Sequence, residues 1–178
     1  MARFSLVALV FCLGYGCTQA FLTSLAAERD LAAAASLFFP VYAAATLLTR
    51  PLTGRLYDAR GEGFLFPPIF VLTMLSFCLM AVAESGAALL CAAALLGMGF
   101  GNFQSVGQAV SLSLVTLSRV PQATTTFFVF FDLGIGIGPV LLGLLIPAYG
   151  YQGLYFAAAA AVLVSAVLYH FLHGRHRT

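Results

Sequence analysis

The sequence predicts an all-α polytopic membrane protein, with six transmembrane helices arranged as two inverted three-helix repeats. Three observations carry that prediction. Of the 178 residues, 62% are hydrophobic and 8% charged, with a mean hydropathy of +1.02, whereas roughly a quarter of the residues in a soluble domain are charged. Charge, proline and glycine divide the chain into six apolar segments: 4–26, 31–52, 64–83, 87–117, 122–147 and 153–172. Each is near or above the ~20 residues a helix needs to cross the hydrocarbon core. Finally, Gly14-Tyr15-Gly16-Cys17-Thr18-Gln19 and Gly99-Phe100-Gly101-Asn102-Phe103-Gln104 both read Gly-aromatic-Gly-x-x-Gln, 85 positions apart. Three helices separate the copies, so the second enters from the opposite side, as in inverted-repeat carriers. The repeats divide the single domain, 1–178, into 1–85 and 86–178. Helices two and five echo more loosely: Phe38-Phe39 precedes Pro51 and Gly54, and Phe127-Phe128 precedes Pro139 and Gly143.

The first apolar segment follows Arg3 and continues to Ala27, longer than a signal-peptide core, and reads as helix one. Cys12, Cys17, Cys78 and Cys91 lie inside apolar runs with no CxxC pair, as small hydrophobes rather than metal ligands. No metal and no cofactor is expected. A net charge of +2, with no basic run interleaved with aromatics, gives no sign of nucleic-acid binding.

All basic charge is arginine. Arg3, Arg50, Arg55, Arg60, Arg119, Arg175 and Arg177 fall on one side of a six-span path, and Arg29 falls on the other, beside Glu28 and Asp30. The positive-inside rule then places both termini in the cytoplasm of a multi-pass plasma-membrane protein, of bacterial inner-membrane type. Five of the fourteen charged side chains crowd into RPLTGRLYDARGEG, residues 50–63, expected as the cytoplasmic loop between helices two and three.

Asp132 is the most informative residue inside the membrane. It lies about ten residues into helix five, roughly 15 Å deep. An ionised carboxylate there costs about 2.5–3.5 kcal/mol on insertion scales, so it must face a cavity, pair, or carry a proton. Gly97, Gly101, Gln104, Gln108 and Ser111 share one face of helix four, flanked by Asn102 and Ser105; Cys12, Gly16, Gln19 and Thr23 share a face of helix one. Both faces read equally as polar cavity walls or as small-residue packing with amide glue. Gly134 and Gly138, four apart, read as a close-packing face, and Pro139 as a kink. The strings Gly97-x-Gly99-x-Gly101 and Gly134-x-Gly136-x-Gly138 lack the strand–turn–helix context of a dinucleotide site. His170, His173 and His176 read as part of a basic tail.

Arg50-Pro51, Gly54, Leu56, Asp58 and Gly61 resemble the major facilitator superfamily signature G-x-L-x-D-R-x-G-R-R between the second and third helices of each six-helix half. Ala59 stands where the family has arginine, and Glu62-Gly63 where it has a basic pair, which is closer to the copy in the second half. Gly138 to Gly143 resembles the Gly-Pro motif of efflux-type members, with Leu142 in place of a glycine. The resemblance covers all six spans of a family whose members have about twelve, so it implies one half, most like the C-terminal one. It further implies alternating-access transport of a small-molecule substrate, coupled to an ion of which the proton is one candidate, with efflux favoured by the Gly-Pro motif, and a second half as partner: another copy, or a separate N-terminal half. By the same resemblance, which puts the first and fourth helices of a half along the central cavity, Gln19, Asn102, Gln104 and Gln108 would line the substrate pathway; Asp132 of helix five joins them as a pathway or coupling candidate on the strength of its depth. The stretch from Arg50 to Gly61, with Asp58 and Arg60, would form a cytoplasmic gate. A non-transporting or truncated subunit is the alternative. A six-helix intramembrane enzyme fits poorly: Ser105, Ser111 and Ser113 lack a G-x-S context, and His170 falls at a helix end.

Overall fold

The computed structural model describes residues 2–113, 115–116 and 119–172, with the side chains of 4–171 among them. His173, His176, Arg175 and Arg177 lie outside the described residues, as does the side chain of Arg3. Among the described residues six helices follow one another: α1 (Ala2–Glu28), α2 (Ala32–Arg60), α3 (Glu62–Val82), α4 (Gly86–Ser113), α5 (Val120–Gly143) and α6 (Ile146–Leu172). All six are long and apolar enough to span a bilayer. Helices meet the membrane's demand that backbone hydrogen bonds be closed within the segment.

Span four ends at Ser113 rather than 117, and two further boundaries differ from those read in the sequence. Residues 50–63 are not a loop: α2 continues unbroken through Arg60, and the turn into α3 is Gly61 alone. Gly61 ends the helix by adopting φ 74°, while its N–H still donates to Tyr57 O at 2.9 Å. That left-handed conformation is one that glycine takes at no steric cost. Helix α2 runs on past Pro51 because α4 lies beside it and supplies side-chain hydrogen bonds as far along as Arg50 and Thr53. The other of the two lies between α5 and α6. Span five ends at Gly143 rather than near 147, and Pro147 sits in the first turn of the next helix, where a missing N–H costs nothing. Gly150, at φ 64°, then breaks α6 into a short first turn and a main rod.

Helix α1 packs between α5 and α6, α4 packs between α2 and α3, and α3 packs against α6. Exchanging each helix for the one three places on leaves this pairing unchanged. Several contacts follow the same exchange. A side chain on Gly14 would meet Ala158 and one on Gly99 would meet Thr73; both glycines and both partners are 85 positions apart. Ser76 Oγ donates to Ala92 O at 2.7 Å, and Ser165 Oγ to Val7 O at 2.8 Å, onto carbonyls again 85 apart.

Between α1 and α5 the backbones touch. A Cβ at Gly134 would collide with Leu9 O and stand 2.9 Å from Cys12 Cβ, and one at Gly138 would collide with Leu13 O. Gly134 and Gly138 thus face the α1 backbone. Gly136, on the opposite side, has nothing within 4 Å. Gly134→Ala and Gly138→Ala should each destabilise the bundle by about 1–3 kcal/mol through overpacking, while Gly136→Ala leaves it unchanged or slightly firmer. Thermal unfolding in detergent, followed by a thiol-reactive dye reaching buried Cys12 and Cys17, checks this; equal melting of all three variants would refute it.

Candidate functional site

A polar ladder joins α2 to α4. Thr46, Thr49 and Thr53 line one side of α2 at helical spacing. Thr46 Oγ1, shared with its own helix, reaches Gly97 O at 3.0 Å. Asn102 Nδ2 donates to Thr49 Oγ1 at 2.8 Å and Met98 O at 2.9 Å, and its Oδ1 accepts from Thr53 Oγ1 at 2.9 Å. One turn further along, Arg50 places Nε and Nη2 at 3.0 and 2.7 Å from Ser105 Oγ. A cavity of about 310 Å³ opens over this end of the ladder, with Arg50, Thr53, Tyr57, Asp58, Asn102 and Ser105 in its wall.

The signature stretch thus has a different geometry from the expected loop. Arg50 stands ten residues inside α2, about 15 Å from its end, and pairs with α4 rather than with the membrane surface. Gly54 makes no close helix approach, since a Cβ there would meet nothing within 4 Å. Asp58 is exposed in the last turns of α2, a helix C-terminus where the dipole disfavours a carboxylate, not a helix N-terminus. Arg60 lies over the Phe64 ring, 4.6 Å from its centroid. Pro51 is exposed and Leu56 packs half-buried against the core.

The two polar faces divide. Gly16 is pressed onto the Ile135 carbonyl of α5, and Gly101 onto the Thr46 side chain of α2, so the glycines are packing residues. Gln19 and Gln104, one turn on, are exposed, and Gln108 is half-buried. Asn102, at 1% exposure, has its amide engaged by α2 and by its own helix. Ser111 Oγ returns to Gly107 O of its own helix.

Asp132 is exposed on α5. Its neighbour Phe131 packs with a tilted ring 5.8 Å from Phe100, midway along α4, so the carboxylate stands halfway through the bundle. Pro139 and Gly143 close α5, and a Cβ on Gly143 would stand 3.1 Å from the Phe21 ring.

One residue read as a lone outer charge has a structural task. Arg29 donates to Met80 O at 3.1 Å, Ala81 O at 2.8 Å and Ala83 O at 2.7 Å, closing the C-terminal carbonyls of α3. Its partners lie more than fifty residues away, with no local pattern to announce them. The Thr46, Thr49, Thr53 spacing, by contrast, was open to a search for helical polar stripes.

Six helices, each long and apolar enough to cross a bilayer, make this an integral multi-pass membrane protein. The family model described as the Major Facilitator Superfamily matches residues 4–178, and the chain belongs to that family, whose members are transporters and not enzymes. A relative named MFS-type transporter pigP, from Monascus ruber, is 32% identical over 93 residues, which are 52% of this chain and 16% of that protein. The chain spans less than two thirds of that relative's length.

The ladder predicts a contrast between two neighbouring amides. Asn102→Leu should lower stability by about 0.6–2 kcal/mol, the range of interhelical hydrogen bonds in membranes, whereas Gln104→Leu should leave it unchanged. Thermal unfolding of the two variants in one detergent decides the point; equal losses would show that Asn102 does not hold α2 to α4.

Proposed function

We propose that the chain is one six-helix half, C-terminal in kind, of a secondary transporter that moves a small molecule by alternating access, with Asp132 as the coupling group. The observation that carries this reading is the position of Asp132: midway through the bundle and uncovered on α5. Helices α2 and α5 are also the least buried, with 11% and 22% of their apolar windows covered. Lipid against that carboxylate is costly, so the face belongs against a second half, another copy or a separate N-terminal half, with a water-filled path between. Gln19, Gln104 and Gln108 supply neutral hydrogen-bonding groups along it.

The contacts related by 85 positions favour two inverted repeats, 1–85 and 86–178, interleaved through the α1–α5 and α2–α4 seams into one body that rocks as a unit against the second half. At the arginine-rich end, taken as cytoplasmic with both termini there, Arg50, Ser105 and Asp58 surround the cavity over the ladder, a position suited to a gate. A bacterial inner membrane and proton-driven efflux fit the arginine bias and the Gly138–Gly143 stretch.

The first test is the mass of the detergent-extracted chain by native mass spectrometry, where a stable dimer means two copies make the carrier and a monomer calls for a separate half. In the assembled carrier, reconstituted in vesicles with a pH-sensitive dye and a panel of small solutes, Asp132→Asn should abolish solute-driven proton movement while membrane levels stay unchanged. Proton movement that survives in the variant removes Asp132 from coupling.

A further inference from the structure

A cavity of about 610 Å³ belongs neither to the α2–α4 ladder nor to Asp132. It is a groove between α3 and α6, at the end where α2 turns into α3, on helices that pack against each other rather than along the open α2 and α5 face. Its composition changes with depth. At the mouth stand Arg60, His170 and the backbone of Gly61 and Gly63. Along its length the walls are Pro67, Phe70 and Val71 of α3 and Ala166 and Tyr169 of α6, apolar but for the Tyr169 hydroxyl. Val71 is ten residues beyond Gly61, so the apolar run extends about 15 Å from the mouth.

The exposed charge at the mouth is positive and is carried by Arg60. Arg60 is exposed, its guanidinium resting on the Phe64 ring, while Glu62, the carboxylate of the lining, is turned inward at 4% exposure. Around this end the exposed charges are Arg55, Arg60 and Arg119 against Asp58. Gly61 and Gly63 have open space above them, so a bulky group can come close to the backbone beside Arg60. A cation at the membrane surface above an apolar trough matches a phospholipid, with its phosphate at the mouth and an acyl chain in the trough. Basic pockets between membrane helices favour anionic headgroups.

We propose that the α3–α6 groove is a binding site for an anionic phospholipid, its phosphate held by Arg60 and its acyl chain laid along Val71 and Ala166. The site ties the α2–α3 turn to the end of α6, so its occupant bears on how those helices move.

Native mass spectrometry of the full chain from mixed micelles tests this, with phosphatidylglycerol and phosphatidylcholine of identical chains as probes. The unaltered chain should retain one phosphatidylglycerol several-fold more than phosphatidylcholine. Arg60→Gln should reduce that retention to the phosphatidylcholine level. Val71→Trp, which fills the trough and leaves Arg60 in place, should abolish it, whereas Val129→Trp on exposed α5 should not. All three positions are exposed, and unchanged unfolding temperatures verify the fold. Equal retention of the two lipids overturns the proposal, as does retention that survives Val71→Trp, which would mean surface attraction alone.

Discussion

Gly16, Gly97, Gly134 and Gly138 each stand against a main-chain carbonyl of a neighbouring helix: Ile135, Tyr42, Leu9 and Leu13 in turn. Lipid tails are as apolar as the leucines and phenylalanines they surround, so burying such side chains does not by itself hold two helices together in a bilayer. Close packing of backbones and hydrogen bonds between helices do. The rest of the fold follows from these approaches. With α2 drawn onto α4 at Gly97 and Gly101, Thr46 comes within reach of the Gly97 carbonyl, and Asn102 can span Thr49 and Thr53. With α1 drawn onto α5, Cys12 is sealed against Gly134, and the opposite side of α5, with Asp132 beside it, is left uncovered.

A different contact joins the two groups of helices that these seams create. The backbones of α1 and α4 barely approach, yet their aromatic rings interlock: Phe11 lies 5.5 Å from Phe100 and 4.1 Å from Phe103, and Tyr15 stacks on Phe100 at 4.0 Å. Phe131 extends the stack to α5, and Phe66 and Phe70 extend it to α3. Such ring pairs contribute about 0.5–1.5 kcal/mol each beyond area burial, without the fixed geometry that a glycine–carbonyl contact imposes. The bundle is therefore tightest within α1–α5 and α2–α4, and its centre is filled by rings.

Charges are used sparingly and for separate tasks. Arg29 satisfies three carbonyls that the end of α3 would otherwise leave open, which a membrane protein cannot leave to water where the lipid begins. Arg50 is taken into the α2–α4 seam through Ser105, and Arg60 rests on an aromatic ring at the surface. Asp132 is the group whose surroundings within the chain do not account for its cost, which is why the transport reading rests on it.

How much of this was legible beforehand follows from what a bilayer dictates. Span number and helical content came from composition and segment length, because the hydrocarbon core fixes both the length and the kind of structure that can cross it. The Gly134 and Gly138 face and the membership of the family could also be read from spacing and from the residues between Arg50 and Gly61. Tertiary structure decided the partners. A period of 3.6 puts Gly16 and Gln19, or Gly101 and Gln104, on one face, but only the neighbouring helix determines where along that face contact ends and exposure begins. It also decided that α2 runs past Pro51, because α4 lies alongside to bond it. The same is true of Arg29, whose role depends on carbonyls more than fifty residues away that no local pattern brings near.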